Sequence, residues 1–181
     1  CALFPSEAFD PVATLQTVSE ERCTGLHGVP TMFIAELELP GFAEFDLSSL
    51  RTGIMAGAIC PEPLMRKVQT LMHMTEVTIA YGQTECSPIN HMTAIDAPLD
   101  KRVTTVGRAL DQTEIKLIDP SGELVPIGER GEICCRSKGV MQSYWQDPVK
   151  TAETIDDEGW LHSGDIGIMD EEGYVQIVGR S

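Results

Sequence analysis

The sequence predicts an α/β fold, in which part of an open parallel sheet with crossover helices is followed by a small antiparallel β subdomain. Three observations carry this. Up to about residue 98, apolar or β-branched runs alternate with segments of helical period. After Pro98 that rhythm gives way to strand-like runs split by Asp-x-x-Gly turns. The chain has 181 residues, 42% hydrophobic and 23% charged, a globular composition with length enough to bury a core. Residues 1–98 are read as the partial α/β subdomain and residues 99–181 as the β-rich one, entered through a linker over Asp96–Lys101.

The elements follow in order. Ala2-Leu3-Phe4 is a short apolar run, and Asp10-Pro11 is a natural N-cap and N1 pair. The helix after it places Val12, Leu15 and Val18 on one face. Leu26–Val29 reads as a strand stopped by Pro30, and Thr31–Leu39 as a helix. Arg51–Ala56 is the next strand. Beyond Pro61 and Pro63, the residues Leu64, Met65, Val68, Leu71 and Met72 keep a helical period. Val77–Ala80 is β-branched and apolar, as a buried strand requires. In the second half, Ile115–Ile118 and Glu123–Val125 flank Asp119-Pro120-Ser121-Gly122, a hairpin pattern. Gly131–Arg136 is another strand, a short helix begins near Pro148, and Ile166–Met169 with Tyr174–Val178 form a second hairpin around Asp170–Gly173. The shared Asp-x-x-Gly is turn chemistry and does not establish a repeat.

Composition excludes several classes. No apolar stretch approaches the about 20 residues that a membrane-spanning helix needs; the longest uncharged one is Gly53–Cys60. The first residues carry no basic leader, and Cys1 stands where an initiator Met would, so the chain reads as an internal piece of a larger parent. Net charge is −15, divided as −7 over residues 1–90 and −8 over residues 91–181. Such a surface repels phosphate backbones, so nucleic acid is not an expected partner. The six cysteines include no Cys-x-x-Cys pair, and Cys134 and Cys135, adjacent in a strand, face opposite ways. They read as small apolar fillers in a reducing compartment, taken here as the cytoplasm, with an upstream organellar leader left open. Four scattered histidines give structural zinc little support.

Familiar sites are missing. There is no Gly-x-Gly, no Gly-Lys, no Gly-x-Ser-x-Gly and no His-Glu-x-x-His. The strongest signal is Tyr81-Gly82-Gln83-Thr84-Glu85, directly after a strand, where ligands bind in parallel sheets. Gly82 lets a ligand approach the backbone, the Thr84 hydroxyl suits a phosphate, and the Glu85 carboxylate suits Mg²⁺. Tyr81 offers an aromatic face to a planar base. The five residues alone fit an ordinary strand-to-loop turn equally well. Gly57-Ala58-Ile59, after another strand, would make a flat shelf for a purine, though tight packing explains it as readily. Asp165 can accept hydrogen bonds from two ribose hydroxyls or simply close a turn. Arg180 suits ribose or phosphate oxygens or simply solvent. His27 and His162 read as packing or hydrogen-bonding residues.

Together these motifs become specific. Tyr81–Glu85, Gly131-Glu132-Ile133 with Met141–Trp145, Trp160–Asp165 and Val178-Gly179-Arg180 stand in the order seen in adenylate-forming enzymes. The chain resembles their acyl-CoA synthetase branch, close to medium-chain fatty acyl-CoA ligases. Gly28–Phe33 and Tyr144–Glu153 strengthen the branch, and the resemblance covers essentially all 181 residues. It implies part of the large N-terminal domain of such an enzyme. It also implies a two-step reaction in which a carboxylic acid and ATP, with Mg²⁺, form an acyl-adenylate, and CoA then displaces AMP.

By the same resemblance, Gly57, Ala58 and Ile59 line the adenine site beside Tyr81, Gly82 and Gln83. Thr84 and Glu85 are the catalytic pair, on phosphate and Mg²⁺ respectively, and Asp165 holds the ribose with Arg180. The acid's pocket falls near His27–Thr31, Gly57–Cys60 and Gln83–Ser87. Two family features, a Pro-Lys-Gly phosphate loop and a C-terminal catalytic Lys domain, have no counterpart here, so the 181 residues alone are expected to be inactive. Ser163 stands where Thr is commoner and retains the hydroxyl. An adenylation domain serving a carrier protein, a luciferase-like enzyme, or a non-catalytic nucleotide-binding or partner-binding module shares these features. A truncated sheet would leave edge strands open to self-association.

Overall fold

The computed structural model describes residues 1–5 and 7–180, and its contacts cluster into two compact units, 1–79 and 80–181. The change of pattern read at 98/99 follows composition. Compactness divides the chain earlier because His91 and Met92 pair with Ala109 and Arg108 across that point.

In the first unit, helix α1 (Pro11–Glu21) starts where Asp10 Oδ1 accepts a hydrogen bond from Ala13 N at 2.8 Å, with Pro11 beside the cap. It stops at Arg22, which takes a left-handed conformation. Leu15 and Val18 are buried, but Val12 is exposed. Steps of three residues fall short of the 3.6-residue turn, so the 12–15–18 row winds around the helix and its first member leaves the apolar face. Helix α2 (Pro30–Leu37) buries Phe33 and Glu36 and ends before the expected Leu39. Strand β1 (Thr52–Ala56) leads through α3 (Glu62–Leu71) to β2 (Glu76–Tyr81), whose last two residues belong to the second unit.

β1 and β2 are neighbours, and Glu76 N bonds Arg51 O while Thr78 Oγ1 bonds Gly53 O. Both strands advance together in that register, as parallel strands must. This is the crossover arrangement read from the alternating pattern. α3 buries Leu64, Met65 and Val68, and Met72 just beyond it is buried too, whereas Leu71 faces solvent. The expected strand Leu26–Val29 is reduced to parallel bridges at Gly25 and Gly28 with Thr52 and Met55, and Ala2–Phe4 forms no element.

In the second unit the end of β2 pairs antiparallel with β3 (His91–Met92), which pairs antiparallel with β4 (Arg108–Ala109). That sheet is therefore mixed. The supposed linker Asp96–Lys101 runs into a helix, α4 (Leu99–Thr104). β5 (Glu114–Ile118), β6 (Arg130–Arg136), β7 (Leu161–Met169) and β8 (Val175–Arg180) then form the antiparallel sheet in simple order, with α5 (Pro148–Thr154) between β6 and β7. Ile133, Leu117 and Val175 form one part of its core, and Cys135 with Cys86 and Leu161 another. Glu123–Val125 does not extend into a strand; a single bridge from Leu124 to Ile118 closes that hairpin.

Three five-residue turns have the same internal bonding. In each, the Asp N–H donates to the carbonyl of the fifth residue and the Gly N–H donates to the Asp carbonyl: Asp119–Glu123, Asp156–Trp160 and Asp170–Tyr174. Each Asp Oδ1 accepts two further backbone N–H bonds at 2.8–3.0 Å. All three carboxyls lie below the usual carboxylate range: the Ser121 hydroxyl and then backbone N–H groups hold Asp119 down, while burial is outweighed at Asp156 by the backbone N–H groups and at Asp170 by Lys101 and then backbone N–H groups. The middle turn, around Asp156, is a third copy of the pattern read from sequence at the other two. Among the described residues, no helix is long and apolar enough to cross a membrane.

Candidate nucleotide site

The site begins where β2 ends. Gly82 is required there because a Cβ would lie 1.9 Å from the Pro88 carbonyl oxygen, so only glycine lets the chain fold back this tightly. The next turn, Thr84–Cys86, is anchored from below by Cys86, buried against Cys135 and Leu161, while Asn90 Nδ2 donates to its sulfur at 3.4 Å. Gln83 and Glu85 are thereby held half-buried, with Thr84 exposed between them.

β7 supplies the facing carboxylate. Ser163 is buried and its Oγ accepts from Asp165 N at 3.0 Å. Gly164, at φ +72, donates its N–H to Glu132 Oε1 at 2.9 Å. These bonds fix the kink that presents Asp165. The Tyr81 hydroxyl donates to Asp165 Oδ2 at 2.6 Å. Gln83 Nε2 donates to the Ser163 carbonyl at 2.7 Å and to the same Oδ2 at 3.3 Å. Arg180 is the cross-strand partner of Asp165, with Nε 3.7 Å from Oδ1 and its guanidinium largely exposed. Burial, and then the Asp165 carboxylate it donates to, push the Tyr81 phenol well above its ordinary range, so it stays a donor.

Glu85 turns the other way. The Tyr144 hydroxyl donates to its Oε1 at 2.6 Å, and that bond holds the Glu85 carboxyl below its usual range, as an anion. Its backbone carbonyl accepts from Met141 N at 2.8 Å. An ionised, half-buried carboxylate beside the exposed Thr84 is a hard oxygen donor of the kind Mg²⁺ takes, so these residues fit that ion.

Of the residues singled out in the sequence, Tyr81, Gln83, Asp165 and Arg180 form one bonded network, and Glu85 adjoins it through the same turn. Gly57, Ala58 and Ile59 belong to the first unit, where Gly57 takes φ +82 and Ile59 is exposed. His27 and His162 are hydrogen-bonding residues: His27 Nδ1 accepts from Ile54 N at 3.2 Å, and His162 lies between Glu132 and Asp156. Sequence reading missed Tyr144 and Glu132 as site-shaping side chains, although both stand inside motifs that it quoted. Nothing local tells which distant carboxylate or amide each will reach.

The AMP-binding enzyme family matches residues 1–145. The chain belongs to that family. The acyl-CoA ligase sidI of Aspergillus fumigatus is 49% identical over 98% of this AMP-binding chain and 31% of its own length. The mitochondrial medium-chain acyl-CoA ligase ACSF2 of Danio rerio is 42% identical over 98% of this chain and 30% of its own. Among solved structures, the anthranilate CoA ligase AuaEII in complex with anthranoyl-AMP superposes with a TM-score of 0.86 at 32% identity, over 99% of this chain and 34% of that one. The AMP-binding chain thus spans about a third of the length of these relatives.

Proposed function

We propose that this chain supplies the nucleotide-holding part of an AMP-forming acid–thiol ligase, an acyl-CoA synthetase. The observation that carries the reading is the Asp165 carboxylate, oriented by Tyr81 and Gln83 and flanked by the exposed Arg180. A carboxylate fixed in this way accepts bonds from the two ribose hydroxyls, and Arg180 adds a donor to the ribose or phosphate oxygens. Tyr81 and Gly82 border the base. Thr84 donates to phosphate and Glu85 serves Mg²⁺, which when bound neutralises phosphate charge.

In the whole ligase an acid carboxylate oxygen attacks the α-phosphorus of ATP, and pyrophosphate leaves. The CoA sulfur then attacks the acyl carbon, its proton passes to solvent, and AMP leaves. The residues of this chain contribute positioning and electrostatics rather than proton transfer. Supporting the acid–thiol reading are the two CoA-ligase relatives. All six cysteines are free thiols, which suits a reducing compartment such as the cytoplasm.

Calorimetric titration of AMP tests the site. Asp165→Ala is expected to weaken binding at least tenfold, and equal affinity in the two proteins removes Asp165 from the site. A panel of fatty acids given to the full-length ligase with ATP and CoA tests the reaction, and acyl-adenylate without acyl-CoA would refute the CoA assignment.

A further inference from the structure

The kinked stretch of β7 that presents Asp165 also turns His162 toward β6, beside Glu132 and Cys134. Glu132 and Cys134 are two residues apart on β6 and share a face. Their partners on β7 are Ile166 and His162, so three residues of β7 bulge between those pairings. The bulge brings one nitrogen, one oxygen and one sulfur donor together, all within 4.8 Å of one another. His162 Nδ1 lies 3.3 Å from Glu132 Oε2 and 3.6 Å from Cys134 Sγ. Tetrahedral coordination at ordinary zinc bond lengths places a nitrogen and an oxygen donor about 3.4 Å apart, and a nitrogen and a sulfur about 3.6 Å apart.

The surroundings complete the pattern. His162 Nε2 faces Asp156 Oδ2 at 3.5 Å, the carboxylate–histidine pairing that aims the opposite ring nitrogen at a metal. Glu132 Oε1 accepts from Gly164 N, which orients Oε2. Lys116, 4.0 Å from Asp156, and Arg136 both lie over the Trp160 ring as nearby cations, and Arg136 is itself paired with Glu114. Against them stand the charges of Glu132 and Asp156 and the thiolate that coordinates. His162 and Glu132 are each partly open to solvent, so an ion can enter and keep a water as its fourth ligand.

We propose that Glu132, Cys134 and His162 form a binding site for a zinc-like divalent cation, with Asp156 as the positioning residue behind His162. Coordination forms the metal–sulfur bond and releases the Cys134 thiol proton to solvent. The nucleotide reading uses Glu132 only through Oε1, which holds Gly164, and leaves Glu132 Oε2, Cys134 and His162 unused, so the cation site stands whether or not Asp165 holds ribose. It goes beyond the sequence expectation that four scattered histidines give structural zinc little support, since one histidine suffices when the facing strand β6 supplies the other two ligands.

Cobalt titration of the 181-residue chain tests the site, because a thiolate–Co²⁺ pair absorbs strongly in the near ultraviolet. The expected result is a band that saturates at one equivalent and is displaced by Zn²⁺. The band should vanish in Cys134→Ala and persist in a Cys1→Ser/Cys23→Ser control. Glu132→Gln keeps an acceptor for Gly164 N–H yet should weaken binding at least tenfold. Asp156→Asn should weaken it about 10–100-fold while leaving the band's position unchanged. If Cys134→Ala loses its circular-dichroism signature, His162→Gln at a partly exposed position decides in its place. Absence of the band in the parent chain, or its survival in Cys134→Ala or His162→Gln, overturns the proposal.

Discussion

Tyr81 and Asp165 lie 84 positions apart in sequence and 2.6 Å apart across their hydrogen bond. A hydroxyl donating to a carboxylate is a charge-assisted bond, worth about 1.5–3 kcal/mol when half-buried. Tyr81→Phe should therefore lower unfolding free energy by about 1–2 kcal/mol in urea melts. It should also weaken AMP binding, since the Asp165 carboxylate then loses its shortest hydrogen bond and keeps Gln83 and Arg180 beside it. Tyr144→Phe tests the neighbouring pair: the Glu85 carboxyl should titrate nearer its ordinary range, read by carboxyl-carbon NMR, because the bond that holds it down is gone. Both acidic residues were legible only as candidates, through the motifs that hold them, Tyr81–Glu85 just past an apolar strand and Trp160–Asp165 ahead of a hairpin. Their partners were not, because a hydrogen bond across dozens of residues leaves no local pattern.

At the scale of elements, α2 holds a buried acid. Glu36 is fully buried, its Oε2 has no hydrogen-bond partner among the described residues, and burial pushes its carboxyl up to about 7. A folded-state value above the unfolded one means that the native chain binds the extra proton between about pH 4.5 and 7. Stability from this group is therefore full below that window and lost as pH rises through it, by up to about 3 kcal/mol. His91 works in the opposite sense, since burial lowers it to about 4 and its contribution is lost as pH falls below the ordinary imidazole range. The clean measurement is thus the difference between the parent chain and Glu36→Gln in urea melts at pH 5 and pH 8. The variant should gain relative stability at the higher pH.

Backbone tightness gives a second check at this scale. Gly82→Ala should disrupt the 82–88 turn and abolish AMP binding, because the new Cβ meets backbone and not a movable side chain. Long periodic elements such as α1 and α3 were legible from sequence, whereas β3 and β4 were not. Two-residue strands have no period to read, and they exist only because a neighbouring strand is there to pair with. Leu26–Val29 erred the other way. Its apolar run is strand-like, but it meets β1 only through isolated parallel bridges at Gly25 and Gly28, with Leu26 N donating to Thr52 O between them.

For the molecule as a whole, a charge of −15 sets the terms on which an anion can approach. Long-range repulsion opposes nucleotide association, while the favourable donors act only at contact. Added salt should therefore speed AMP association at first, the reverse of a site lined with lysines; stopped-flow measurements across a sodium chloride series would show it. Charge and composition are fully legible, and they imply that any phosphate site here must be local. The division into compact units was less so, because contact density depends on which strands pair and not on where composition changes.

The three Asp-x-x-Gly turns carry a further consequence, for the order of folding. Each closes with bonds inside five residues, so forming it costs almost no chain entropy. By contrast, the Val106 amide must find the Val175 carbonyl far along the chain. The antiparallel sheet should therefore assemble outward from its tips, with the β7–β8 hairpin among the first contacts. Pulse-labelled exchange during refolding should find the Tyr174 amide, which donates to Asp170 Oδ1, protected before that of Val106. Acid, by protonating the latching aspartates, should slow that first step as well as weaken the finished sheet.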